Sequence, residues 1–139
     1  MNFYIADMHF GHKNVIRYDN RPFDSIEEMD KAMITLWNET VGDNDVVYIL
    51  GDFSWYKEEK TAFILGCLKG HKVLIRGNHD HISPKVARHF ERICEYAEIK
   101  DGEEKLSCLT IQCLSGMVST ETVFICMVMS ITHISIITV

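Results

Sequence analysis

Arg76-Gly77-Asn78-His79-Asp80 sets an amide oxygen, an imidazole and a carboxylate behind a flexible glycine, directly after the apolar run Lys72-Val73-Leu74-Ile75. Two earlier stretches share the layout. Asn2-Phe3-Tyr4-Ile5 leads into Asp7-Met8-His9, and Val46-Val47-Tyr48-Ile49-Leu50 leads into Gly51-Asp52. Oxygen and imidazole donors without thiolates suit hard or borderline divalent cations, and a carboxylate at Asp52 is able to bridge two of them. Each group also has an ordinary structural use: Asp7 in a turn, His9 on the surface, Asp52 as a helix cap. Their joint occurrence behind strand-like runs is what favours ligands.

The elements must bring these ends together. In open α/β sheets, sites form just outside the carboxyl ends of the strands, so adjacent strands ending at Ile5, Leu50 and Ile75 would gather Asp7, His9, Asp52, Asn78 and His79. Asp7 and His9 lie two apart, which points both to one side of an extended segment. The strand over 45–50 is apolar enough to predict helices on both of its faces. Ser25-Ile26-Glu27-Glu28 reads as a capping box, opening a helix to about Thr40 whose stripe of Ile26, Met29, Met33, Leu36, Trp37 and Thr40, with Ala32 beside it, is core. Gly42 is its expected stop. Further helices are predicted over 57–68, ended by Gly70, and over 84–90, with Pro84 in the first turn. Residues 93–99 read as one extended stretch and Asp101-Gly102 as a hairpin turn. Between the first strand and the capping box lies a loop and short helix over 10–18. There, His12, Lys13, Arg17 and Arg21 read either as groups facing a phosphate or as solvated surface charge.

A chain of 139 residues suits one domain with a real core. Its net charge of -6 provides no basic field for a nucleic-acid partner, while an acidic site accords with bound cations. The five cysteines show no C-x-x-C spacing. With no signal-peptide pattern, this predicts free thiols in a reducing cytoplasm, with Cys67 and Cys94 as small core residues.

D-x-H, then G-D, then G-N-H-D, in this order, resembles the calcineurin-like metallophosphoesterases. The wider stretches Asp7-Met8-His9-Phe10-Gly11-His12-Lys13-Asn14 and Asn20-Arg21-Pro22-Phe23 look like the small bacterial and phage members. The resemblance runs from Met1 to about Lys105. It implies an α/β fold, a layered β-sheet core flanked by helices, and two divalent ions drawn from manganese, iron, nickel, zinc or magnesium. By the same resemblance Asp7 and His9 would hold the first ion, Asp52 would bridge, and Asn78 would bind the second. A metal-bound hydroxide would attack the phosphorus of a small phosphomonoester or phosphodiester. His79 would contact the phosphate or protonate the leaving oxygen, and Asp80 would orient His79. Nucleic acid enters this picture only as a substrate. The alternative is an inactive remnant that binds metal or phosphate without turnover.

From Leu106 to Val139 the composition changes: Cys, Met, Thr, Ser, Ile and Val dominate, and Glu121 is the sole charged residue. The family resemblance implies a continuation like L-S-H-Y-P and later G-H-x-H, whose histidines complete the metal site. The tail instead has His133 as its one histidine. Codons for Ser107 to Gln112, read from each old third base, permit Leu-Ser-His-Tyr-Pro. The same shift over Phe124 to Ile131 permits His-Leu-Tyr-Gly-His-Val-His-Asn, with the glycine forced by Met127-Val128. This points to a one-nucleotide slip near the Lys105 codon, making 1–105 the amino-terminal part of a single domain, incomplete at its carboxy-terminal end, and 106–139 out-of-frame translation. Val123 to Val139 is apolar, yet too short and too rich in Ser and Thr for a membrane span, and it lacks basic flanks. It reads as a β-prone segment without a selected role.

Overall fold

The computed structural model describes residues 1–101, 104–112 and 122–128. Strand β1 (Asn2–Ala6) leads through helix α1 (Lys13–Tyr18) and helix α2 (Ile26–Thr40) to β2 (Val46–Leu50). Helix α3 (Glu58–Cys67), β3 (His71–Ile75), the single turn α4 (Pro84–Ala87) and β4 (Arg92–Cys94) follow. Strands β5 (Tyr96–Asp101), β6 (Glu104–Gln112) and β7 (Thr122–Val128) complete the described part.

Strands β1 to β4 form a parallel sheet in chain order, and β5 to β7 form an antiparallel sheet. Residue alternation along the parallel strands serves two different cores. Phe3, Ile5, Val47, Ile49 and Leu74 face a cluster with Met29, Met33, Trp37 and Leu65 from the helices. Tyr4, Leu50, Val73 and Ile75 face the other way, against Ala97, Ile99, Leu106 and Cys108 of the antiparallel sheet. The expected helices on both sides of β2 are therefore corrected: one face carries helices and the other a second sheet. Both coverings are apolar, so the strand's composition is the same either way.

Helix α2 begins where its cap dictates, with Glu28 N–H donating to Ser25 Oγ at 3.2 Å. The Glu28 carboxylate reaches one residue further back than the box predicts and accepts Asp24 N–H at 3.0 Å. The helix ends at Thr40 because Val41 turns extended and is buried, ahead of Gly42. Residues 93–99 are two strands rather than one: the chain leaves the parallel sheet after Cys94 and enters the antiparallel sheet at Tyr96. Cys67 and Cys94 are half-buried free thiols rather than core residues. The hairpin reversal is present, with Asp101 opposite Glu104, although Gly102 itself lies outside the described residues, as do Cys113 and His133. Lys105, where the change of composition begins, falls inside β6, and Leu106 and Cys108 beyond it are buried in the second cluster.

Candidate metal centre

The parallel register places the three strand ends level: Ala6 pairs with Leu50 and Leu50 with Ile75. The loops that follow thus leave the sheet side by side. The first two are stitched together by backbone. His9 N–H donates to Asp52 O and Phe10 N–H to Phe53 O, both at 3.0 Å, and Trp55 N–H returns to Phe10 O at 2.8 Å.

Asp7 and His9 do share one side, but not as an extended segment. Asp7, His9 and Asp52 have φ of 51°, 55° and 48°, in the left-handed region that non-glycine residues seldom occupy. The turn drives Met8 and Phe10 into the core, at 1% and 0% exposure, and leaves the carboxylate and imidazole facing out. Such strain costs about 1–3 kcal/mol per residue and gathers at functional sites. Arg21 supports this turn. Its Nη1 donates to Met8 O at 3.0 Å and its Nη2 to Asp7 O at 2.8 Å. The guanidinium is therefore not solvated surface charge but a clamp on the loop that carries Asp7 and His9. Lys13 and Arg17 are exposed.

Ligand atoms of Asp7, His9 and Asp52 lie within 4.8 Å of one another. His9 Nε2 stands 3.8 Å from Asp7 Oδ1 and 3.7 Å from Asp52 Oδ2. Those gaps exceed hydrogen-bond length. They fit inside the roughly 4.2 Å that separates two donors each about 2.1 Å from a shared ion. The donor set, one imidazole between two carboxylates, thus fits a divalent cation. Burial pushes the Asp7 carboxyl up to about 6, with the charges of Asp52 and Asp19 adding to it against His9 and Arg21. Burial also raises Asp52, but the His9 imidazole beside it and the His79 N–H outweigh this and leave its carboxyl below the usual range.

The third loop docks on the second. His79 N–H donates to Asp52 Oδ1 at 3.2 Å. Asn78, one residue earlier, is exposed on the same loop, and the His79 ring is half-buried. Asp80 departs from expectation. Its carboxylate accepts Asp52 N–H at 3.0 Å, Phe53 N–H at 2.8 Å and Gly77 N–H at 2.8 Å. With both oxygens taken by backbone, Asp80 orients two ligand loops instead of the His79 ring. Gly77 makes the docking tight: a Cβ there would stand 2.6 Å from Asp52 Oδ1 and 2.8 Å from Asp52 N. Gly77→Ala is accordingly expected to displace Asp52 and weaken manganese binding about 10–100-fold, as loss of ligand support does. Calorimetric titration of the variant checks this.

The sequence reading passed over Asp30, Tyr56 and Trp55. Asp30 sits on the buried stripe of α2 at 7% exposure, accepts Tyr56 O–H at 2.8 Å and Gly11 N–H at 3.2 Å, and so ties the helix to both ligand loops. An aspartate in phase with Met29, Met33 and Trp37 was the available signal.

A profile of the calcineurin-like phosphoesterases matches residues 3–137. The chain belongs to this family. Among curated relatives, the chain is 47% identical over 94 residues to the uncharacterized protein MJ1445 of Methanocaldococcus jannaschii, covering 66% of this chain and 51% of that one. The Gene 66 protein of Mycobacterium phage L5 is 37% identical, covering 58% of this chain and 40% of the relative. That of phage D29 is 33% identical, covering 67% and 50%. The chain thus spans about half the length, or less, of the curated relatives it matches. A crystal structure of the protein of unknown function AQ665 from Aquifex aeolicus superimposes with a TM-score of 0.68 at 25% identity, covering 85% of this chain and 64% of that one. Among the described residues, no helix is long and apolar enough to cross a membrane.

Proposed function

We propose that this calcineurin-like phosphoesterase hydrolyses a small phosphomonoester or phosphodiester at a centre of two divalent ions. The convergence of Asp7, His9 and Asp52 within 4.8 Å, on level strand ends, carries the reading. In it Asp7 and His9 hold one ion, Asp52 is shared, and Asn78 serves the second. Bound ions supply Lewis acidity toward the phosphoryl oxygens and lower the pKa of water. The chain's own part is to fix that geometry. His79, held by its backbone on Asp52, reaches the phosphate or gives its proton to the leaving oxygen. Manganese serves as the test ion, and the cytoplasm, as the cysteine usage suggests, as the setting.

The remaining histidine ligands belong, in this proposal, to the frame one nucleotide away from that of residues 106–139. The shifted codons of Ser107 to Gln112 and Phe124 to Ile131 support it. They also support a second reading, in which this form of the chain binds ions but turns nothing over. Hydrolysis of a chromogenic phosphodiester that stops on chelation supports the first reading; ion binding without hydrolysis supports the second. Sequencing the DNA across the Lys105 codon tests the slip itself, and a shifted frame that lacks the histidine motifs would sink it.

The raised Asp7 carboxyl gives ion binding a pH dependence. Between pH 3.8 and about 6 the folded ion-free chain keeps a proton that the unfolded chain releases. Asp7 therefore makes the ion-free fold less stable as pH rises through that window. An ion must displace the proton, so manganese affinity is expected to fall about tenfold per pH unit once pH drops below that of Asp7. Titrations between about pH 5 and pH 7 measure it, and a flat affinity across that range contradicts the assignment of Asp7 as a ligand.

A further inference from the structure

Trp55 has none of the roles above, yet three rings from two separate loops meet on it. His9 approaches the indole edge-on, with centroids 5.0 Å apart at 70°. His12 stacks on it at 4.5 Å and 28°, and His79 leans against it at 4.8 Å and 38°. The indole is 39% exposed, but it stands on a fixed backbone. Trp55 N–H is bound to Phe10 O. On one side, Ser54 Oγ lies 3.0 Å from Thr61 Oγ1 and accepts Tyr56 N–H. On the other, the Tyr56 hydroxyl is bound to buried Asp30.

The imidazoles have less to hold them. Nδ1 of both His9 and His12 is buried without a hydrogen-bond partner, so no bond through that atom sets the rotation of either ring. A histidine that ligates an ion ordinarily has its second nitrogen fixed by a carboxylate or carbonyl, which sets the ring. Here the contact with the indole takes that place. Offset and edge-on ring pairs at 4.5–7 Å are favourable and directional.

We propose that Trp55 is a positioning residue that sets the ring orientations of His9, His12 and His79 around the metal centre. The consequence for turnover rests on the phosphoesterase reading; the ring-setting itself does not. The test is therefore run first on the ion-free chain. Each histidine's rate of modification by diethyl pyrocarbonate is read by peptide mass spectrometry. Trp55→Ala is expected to speed modification of His12 and His79 roughly three- to tenfold, the scale of losing an aromatic pair, while exposed His71 and His81 keep their wild-type rates. Trp55→Phe, which retains a ring, stays near wild type. His89, whose Nε2 is buried, reports unfolding. If it too becomes reactive in Trp55→Ala, the comparison passes to Trp55→Leu, which keeps apolar bulk without an aromatic face. Wild-type rates at His12 and His79 in a folded Trp55→Ala, or a Trp55→Leu chain that matches Trp55→Phe, would overturn the proposal. With manganese added, Trp55→Ala is expected to bind it about 10–100-fold more weakly, with rescue by Trp55→Phe. If the modification pattern holds but the chain read in the shifted frame after Lys105 shows no ion-dependent hydrolysis either, the phosphoesterase reading fails and the positioning role stands.

Discussion

Asp52→Asn is expected to lower hydrolysis by about a thousandfold, the scale on which a single electrostatic stabiliser acts, while the fold survives. The substitution keeps the shape of a side chain that is 3% exposed, and its amide oxygen still accepts the His79 N–H that now donates to Oδ1. What it removes is the negative charge that two ions would share. The effect should separate cleanly from stability, with the melting temperature within a few degrees of wild type and manganese affinity strongly reduced. A second consequence follows from the charges. Asp52 is one of the groups that hold the Asp7 carboxyl up, so Asp52→Asn should let Asp7 ionise at lower pH. Steady-state kinetics, manganese titration and thermal melts on one preparation check all of this. Intact turnover in a folded variant would remove Asp52 from the centre.

Asp80→Ala is expected to act on stability as much as on activity. Its carboxylate, 6% exposed, is the acceptor for three backbone donors at Gly77, Asp52 and Phe53. Burial raises this carboxyl against those donors, which favour its charged form. Without an acceptor, each buried N–H costs about 1–3 kcal/mol. Allowing some access of water, the sum is about 4 kcal/mol, or roughly 10–15 °C in melting temperature for a chain of this size. Asp80→Asn should recover less than half of that, because one oxygen replaces two and the amide NH2 meets donors rather than acceptors. Manganese affinity should fall in both variants, since the Gly51–Asp52 and Arg76–Asp80 loops lose their common anchor. Thermal melts with and without manganese measure the two effects separately. A wild-type melt for Asp80→Ala would show that the three donors find other acceptors.

The strand ends were legible because each apolar run stops at a residue able to ligate, and the level register of Ala6, Leu50 and Ile75 then does the gathering. Helix α2 was legible from its serine cap and from Met29, Met33 and Trp37, which are buried, whereas Leu36, read into the same core stripe, is 40% exposed. The second sheet was not: a strand covered by helices and one covered by another sheet need the same apolar residues. The sheet change at Glu95 left no mark in a continuous extended stretch. Asp80 was misread because its neighbour in sequence, His79, is a natural partner, whereas its actual partners at Asp52 and Phe53 lie 28 and 27 residues away. Arg21's hold on the first ligand loop and Trp55 were missed for a related reason. Carbonyl acceptors and ring contacts depend on turns, and the left-handed turns at Asp7, His9 and Asp52 leave no signature in residue type beyond Asp and His themselves.

The most direct measurement is manganese-stimulated hydrolysis of an aryl phosphodiester by the chain read in the restored frame after Lys105, beside this chain and beside Asp52→Asn in the restored frame. The account predicts hydrolysis by the restored chain that stops on chelation and in Asp52→Asn, with this chain far weaker for want of the shifted-frame histidines. Hydrolysis that persists in Asp52→Asn or in chelator would contradict it.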